Sequence, residues 1–267
     1  MARSGLGKWI LSLWRRIRFG ARYRSRRFAR LYDAGKRLEG SDGGLTRVLD
    51  RISNLDNAVV VDIGCGTGQM ADRIANRVAA YHGFDTARAM IRFARWKYQK
   101  WSGGSTVEFA TADARHIPIS DSTADVVIYP WSLNSIVLGG SIEGLYEAVE
   151  AVLAEGARVA RSGGTLAVVE TLNIANELPW GEVWHPGRRQ FLACLERQHN
   201  MKRELFSNEW RFASRRNVRR YAGIWFEPVS FRGADRRRAT TLPECAGIWW
   251  KRVHKTSQGK SPSDGST

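Results

Sequence analysis

Ala58-Val-Val-Val-Asp62-Ile-Gly64-Cys-Gly66-Thr-Gly68-Gln69 decides the fold. Its first half is a short, continuous, β-branched apolar run of the kind that forms a strand buried on both faces. Its second half places glycines at 64, 66 and 68. Glycines let the chain turn tightly after a strand and bring bare backbone up to a ligand. Ligands of open α/β sheets sit at the carboxyl ends of the strands, so this loop marks a site for a nucleotide-like cofactor. A dinucleotide loop would carry its third glycine at position 69, which is Gln69, one past Gly68. Asp62, two residues before Gly64, also sets a carboxylate where a pyrophosphate would be repelled. A ligand with a positive end and no phosphate fits this DxGxGxG pattern better.

Outward from the loop, helix and strand signals alternate. Met70–Val78 reads as a helix, and Ala80–Phe84 as a strand ending at Asp85. A helix over Thr86–Trp101 follows, then a strand over Thr106–Thr111 with Asp113 beyond its end. Asp125–Tyr129 is a strand, Ile142–Ala160 a helix closed by Ser162-Gly-Gly164, and Thr165–Glu170 a strand. Arg188–His199 reads as a helix, Arg203–Phe212 as extended chain and Cys245–Val253 as a closing strand. Ser214 can cap a helix whose apolar stripe is Val218, Tyr221, Ala222 and Trp225, with Arg215, Arg216, Arg219 and Arg220 opposite. Alternation of this kind predicts an α/β fold on a mostly parallel sheet.

Each acid has its own chemistry. Asp85, at a strand end 17 residues past Gly68, can accept two hydrogen bonds from a ribose diol. Asp113, in Thr111-Ala112-Asp113-Ala114, stands where an adenine amino group would be held. Either acid alone reads as a cap or turn residue. The ordered set of glycine loop, Asp85 and Asp113, each at a strand end, is hard to explain by chance.

These residues resemble those of the class I S-adenosylmethionine-dependent methyltransferases. Val60–Gly68 is similar to the family's first motif, Asp85 within Gly83-Phe84-Asp85 to its ribose acid, and Asp113, followed by Ile117-Pro118-Ile119, to its adenine-side acid. Asp125–Tyr129 and the hinge Arg161-Ser-Gly-Gly-Thr165 resemble its fourth and fifth strands. The resemblance spans residues 30–253. It implies a Rossmann-like, seven-stranded sheet with an antiparallel last strand, the Ala246–Val253 segment being that strand or its partner. It implies S-adenosyl-L-methionine as cofactor, with Asp62, Gly64, Cys65, Gly66, Gly68, Asp85, Thr86, Asp113 and Ala114 as its contacts. It also implies that the early helix carrying Tyr32 and Arg37 closes over the methionine end of that cofactor.

The acceptor leaves a weaker trace. Tyr129 and Trp131, in Tyr129-Pro-Trp-Ser-Leu-Asn134, are expected to wall the acceptor pocket. Base-modifying amino-methyltransferases carry an Asn/Asp-Pro-Pro-aromatic motif at this place. Tyr129 and the missing second proline count against that subclass. Glu170 at a strand end, His185 in a loop and Glu244 in Pro243-Glu-Cys-Ala-Gly-Ile-Trp-Trp250 are candidate acid–base residues. Glu170 could equally cap a turn, and a lone loop histidine such as His185 is more often a surface residue. Methyl transfer needs alignment and dryness more than a fixed base, so no catalytic residue is assigned.

Charge is uneven. The net charge is +16, and residues 1–37 hold twelve Lys or Arg against one acid. Ile10, Leu13, Trp14 and Ile17 form a helical apolar stripe in that segment, fit for packing on the domain or for lying on an anionic membrane surface. The expected organisation is a basic amphipathic segment over 1–30, a methyltransferase domain over 31–254 and a disordered tail over 255–267. No run approaches the ~20 apolar residues of a membrane span. Three cysteines without a CxxC pair argue against a disulfide framework or a metal site, and for a reducing, cytoplasmic setting. The expected function is methylation of a small-molecule O, N or C nucleophile. RNA methylation, through the basic N-terminus and the Arg215–Arg220 face, is the alternative, as is a lipid or quinone acceptor with peripheral membrane contact through residues 8–22.

Overall fold

The computed structural model describes residues 22–39, 44–137, 144–174, 186–214, 216–217, 221 and 241–255. Helices α1 (Arg26–Lys36) and α2 (Gly44–Ile52) precede β1 (Val59–Ile63). Then follow α3 (Gln69–Ile74), β2 (Ala80–Asp85), α4 (Arg88–Tyr98), β3 (Thr106–Thr111) and β4 (Ala124–Pro130). The chain continues through α5 (Leu133–Val137), α6 (Leu145–Val159), β5 (Ala160–Ile174), α7 (Pro186–Arg197), β6 (Lys202–Arg211) and β7 (Thr241–Arg252).

The seven strands form one sheet in the order β3-β2-β1-β4-β5-β7-β6. From β3 to β5 every pairing is parallel. β7 is antiparallel to both β5 and β6 and is the one strand that runs against the rest. This is the Rossmann-like class I methyltransferase architecture that the sequence predicts. The longer β7 begins at Thr241, four residues before the expected start, because its early residues pair with the end of β6, Trp210↔Leu242 and Arg211↔Thr241.

Successive side chains of a strand point to opposite faces, and that sorts the core into two layers. Val61, Ile63, Val127 and Val168 pack with Val149, Leu153, Phe191 and Leu195 from α6 and α7. Val60, Val126, Ile128 and Val169 pack on the other face with Leu45, Leu49, Ile74, Ile91 and Ala94 from α2, α3 and α4. Helices on both faces leave the strand ends as the place where loops and ligand can meet.

Helix α1 starts at Ser25, whose hydroxyl accepts from the Phe28 amide (3.4 Å), and it crosses residue 30, so the expected boundary there falls inside a helix. It packs on α4. Lys255, placed with the tail, is held: its Nζ donates to Ser122 Oγ (2.6 Å) and to the Arg158 carbonyl (2.7 Å). The Ser214 cap is present, with its Oγ accepting from the Asn217 amide at 3.3 Å. The amphipathic stripe of residues 10–17, the 8–22 segment up to Ala21, Arg215, Val218, Arg219, Arg220, Ala222, Trp225 and the tail beyond Lys255 lie outside the described residues. Among the described residues no helix is long and apolar enough to cross a membrane, and no group of three His, Cys, Asp or Glu could hold a metal ion.

Candidate active site

The glycine loop is tied both to the second strand and to itself. The Gly64 and Cys65 amides both donate to the Phe84 carbonyl (2.7 and 3.0 Å), and the Gly68 amide closes a turn on the Cys65 carbonyl (2.9 Å). Gly64, Gly66 and Gly68 all lie at positive φ, a region costly for side chains with a Cβ. Ser132 caps the approach from β4, its Oγ donating to the Ile63 carbonyl at 2.6 Å.

Asp85 ends β2 beside this loop. One carboxylate oxygen accepts from the Gly66 amide (3.0 Å) and the other from the Ala87 amide (2.7 Å). Burial raises its pKa, and the two amide bonds oppose that. Thr86 follows it, exposed. The structure therefore brings Gly64, Cys65, Gly66, Gly68, Asp85 and Thr86 together at the carboxyl edge. Cys65 is buried and its thiol is pushed well above its ordinary range by burial, so it contributes shape and not reactivity.

Two acids depart from expectation. Asp62 is not an open carboxylate facing a ligand. It is fully buried and accepts from the Tyr81 hydroxyl, while its Oδ1 has no partner. Desolvation raises its pKa to about 8 against the opposing Tyr81 bond, so at neutral pH the group carries a proton. The expected repulsion of a pyrophosphate by Asp62 therefore loses its basis, and the glycine spacing is left to carry the choice of cofactor. Asp113 is half-exposed and spends both oxygens on Arg115 (2.6 and 2.9 Å), which holds its pKa down at about 2. Ala114, next to it, is buried in the core layer of α6.

Tyr129 is a clear correction. It does not wall a pocket: it is fully buried among the α6-side core residues, and its hydroxyl donates to the Val152 carbonyl at 2.7 Å. A continuous apolar strand hides which face each residue takes. Trp131 does stand at the β4 end, at φ +53°, its amide bonded to the Val169 carbonyl (2.8 Å) and its indole Nε1 buried with no partner.

Around Trp131 lies a polar cluster of which the sequence singled out only Glu244, and not Lys36, Glu39, Asn208 or Trp210. Lys36 Nζ sits 4.5 Å from the Trp131 ring and 5.2 Å from the Trp210 ring. It donates to Glu39 (2.9 Å), whose other oxygen meets Arg73 (3.4 Å) and accepts from Asn208 Nδ2 (3.2 Å). Glu244 accepts from Trp210 Nε1 (2.8 Å) and from the Thr171 hydroxyl. Lys36, Glu39, Asn208, Trp210 and Glu244 are all buried. Their partners are up to 169 residues apart, and no spacing in the sequence could signal them.

Glu170 is also engaged: it accepts from the Asn134 amide (3.0 Å) and pairs with Arg188 (3.3 Å). Burial raises its pKa, with Arg188 opposing. His185 lies outside the described residues. Helix α1 meets this edge at two places: a Cβ on Gly66 would touch the Tyr32 ring at 3.7 Å, and Lys36, one turn on, reaches the Trp pair. Arg37, expected with Tyr32 over the methionine end of the cofactor, is exposed and paired with Asp33 (3.0 Å).

The parallel sheet, the glycine loop at its carboxyl edge and the acid closing β2 define an α/β protein built to hold a nucleoside-type cofactor. Residues 61–168 match the family described as "Methyltransferase domain", and the sheet around them has the class I methyltransferase fold. Among curated proteins it is similar to the methyltransferase GfsG of Streptomyces halstedii, 28% identical over 52% of this chain and 45% of that protein. It is also similar to a malonyl-[acyl-carrier protein] O-methyltransferase of Geobacter sulfurreducens, 38% identical over 31% of this chain and 33% of that protein. Each match spans less than half of the relative's length. Among solved structures, the YcgJ protein of Bacillus subtilis superposes with a TM-score of 0.51 at 15% identity, over 80% of this chain and 99% of that one.

Proposed function

We propose that the chain transfers a methyl group from S-adenosyl-L-methionine to a small-molecule nucleophile, in a cytoplasmic setting that its three free, buried cysteines fit. The observation that carries this reading is the glycine loop tied to Asp85, with buried polar atoms left over beside it. Asp62 Oδ1, Thr67 Oγ1 and Gln69 Nε2 are buried and have no partner in the protein. Buried polar atoms are costly unless bonded, and three around one loop fit a polar ligand there. The cofactor supplies a methyl group on a sulfonium. The chain's own part is to hold and enclose. The Gly66 and Ala87 amides hold Asp85 in place, with lone pairs left for a diol, and Asp113 would face the base at the cost of its Arg115 pair. Trp131 would flank the acceptor, its unpartnered indole N–H serving as a donor, and α1 would exclude water.

No residue is assigned as a base, because Glu170 and Glu244 are both committed to partners within the fold. The acceptor could therefore be an O, N or C nucleophile, and the relatives differ in the same way: one is named an O-methyltransferase and another, from Bartonella tribocorum, a C-methyltransferase. Calorimetric titration with S-adenosylmethionine, with NAD as control, tests the reading. Saturable binding of the first and none of the second is the expected result. The reverse pattern, or no binding by folded protein, would sink it. Labelled cofactor incubated with cell extract, then split into RNA, lipid and small-molecule fractions, should label the last.

Glu244 gives a prediction for stability. Burial and the neighbouring Glu39 raise its pKa to about 7, with Lys36, Thr171 and Trp210 opposing. A raised carboxyl means that the fold favours the protonated form. That stability is fully present below the unfolded value near 4.5 and is lost as pH rises to about 7. Glu244→Gln keeps an acceptor oxygen without the charge. Denaturant unfolding should show the variant near wild type at pH 5 and more stable at pH 8, by roughly 2 kcal/mol. Equal stability of the two proteins at pH 8 would mean that Glu244 ionises freely.

A further inference from the structure

Helices α1 and α4 carry a face that the proposed transfer does not use. On α1 and its flank, Arg22, Arg26 and Arg30 are exposed at four-residue spacing. On α4, Arg88, Arg92 and Trp96 repeat the same spacing, all exposed. No acidic side chain is exposed on either helix. The carboxylate of α1, Asp33, is buried and holds the two helices together by accepting from Lys97 of α4 (3.1 Å) and from Arg37 (3.0 Å). Arg26 and Arg30 share the helical stripe of Asp33, which turns them toward α4. The exposed arginines thus lie on two helices packed side by side, with an exposed carboxylate at the margin, Asp72 of α3, bonded to Lys97 (2.7 Å) and Tyr98 (2.7 Å).

Aromatic rings stand within it. Trp96 is 58% exposed and packs on Phe93 at 5.3 Å, and Trp101, past the end of α4, is 38% exposed. Exposed tryptophan beside arginine suits the headgroup level of a bilayer, where indoles sit and arginines meet phosphates.

We propose that the α1–α4 face docks on an anionic phospholipid membrane. A phosphate-rich surface complements the exposed arginines Arg22, Arg26, Arg30, Arg88 and Arg92, and the indole of Trp96 complements its apolar boundary. Nucleic acid would satisfy the charge as well. The sequence just before α1 favours the membrane: Ile10, Leu13, Trp14 and Ile17 fall at helical spacing between Lys8, Arg15 and Arg18. An aliphatic stripe among cations has acyl chains to enter and nothing to gain from a phosphodiester backbone. Docking would also bring the cover of the glycine loop to the surface, because the same α1 carries Tyr32.

Co-sedimentation of the full chain with phosphatidylcholine vesicles, with and without 30% phosphatidylglycerol (about that fraction suffices for a negative surface), tests the proposal. Binding is expected only with the anionic lipid. Arg26→Glu/Arg30→Glu/Arg92→Glu should lower it by about a hundredfold, from roughly fivefold per basic residue near a charged surface. Arg51→Glu/Lys202→Glu/Arg203→Glu, with the same net charge change elsewhere, should leave it nearly intact. Trp96→Ala, at a residue 58% exposed, should weaken binding severalfold and covers the case in which the triple variant fails to fold. No binding to anionic vesicles overturns the proposal, as does an equal loss in both triple variants. So does binding of a single-stranded RNA 20-mer that the vesicles fail to compete and that the first triple variant abolishes.

Discussion

Asp85→Ala is expected to weaken S-adenosylmethionine binding by about a hundredfold. In the proposed complex its carboxylate accepts two hydrogen bonds from the ribose diol, and hydrogen bonds to a charged group contribute about 1.5–3 kcal/mol each. The side chain has a second duty. It accepts the Gly66 and Ala87 amides (3.0 and 2.7 Å), so the alanine variant also frees the glycine loop. Asp85→Asn separates the two contributions. One amide oxygen remains to hold an N–H, and the expected loss falls to about tenfold, because only the charge and one acceptor are gone. Titration calorimetry on both variants, with thermal melts as a fold control, reads the result. An unchanged dissociation constant for Asp85→Ala would mean that the ribose lies elsewhere.

The second large effect separates two glycines of the same loop. A Cβ on Gly64 would lie 2.2 Å from Ser132 Cβ and 2.7 Å from its Oγ, at φ +82°. Gly64→Ala must move the β4 end or break the Ser132 bond to Ile63, and it should cost about 3–5 kcal/mol of stability, combining overpacking with left-handed strain. Gly66 stands at φ +54°, and a Cβ there would meet only the Tyr32 ring, at an ordinary van der Waals distance of 3.7 Å. Gly66→Ala should cost only about 1 kcal/mol of stability but place a methyl group where ligand backbone contact is needed. The expected outcome is a pair of opposite phenotypes in denaturant unfolding and cofactor titration: Gly64→Ala unfolds early, and Gly66→Ala folds and binds poorly. Equal stability of the two would refute the packing argument at Ser132.

The strands and the loop were legible because their signal is local. β-branched runs, glycine at 64, 66 and 68, and an acid at the end of β2 each sit within a few residues of one another, and β3 lies where the sequence places it, Thr106–Thr111. Face assignment was not legible at β4. Val126 to Tyr129 is apolar throughout, since both faces of the sheet are covered, so nothing local distinguishes Val126 and Ile128 on one side from Tyr129 on the other. Asp113 stands where the spacing puts it, yet Arg115, two residues on, takes its carboxylate. The Lys36–Trp131–Trp210 cluster was out of reach for a different reason. Its members come from α1, the end of β4 and the end of β6, and only the folded sheet brings them together.

The last strand in the chain is an interior strand of the sheet. β7 lies between β5 and β6 and pairs along nearly its full length with both. Without the residues from Thr241 on, β6 keeps its bridge to Glu39 and its packing on α2, and β5 keeps an open edge toward it. A nascent chain halted before Thr241 would display two unpaired edges at once, each a template for pairing with another chain. Strand order in space thus departs from strand order in the chain at this edge of the sheet, and a fragment ending before Thr241 is expected to self-associate where the full chain does not.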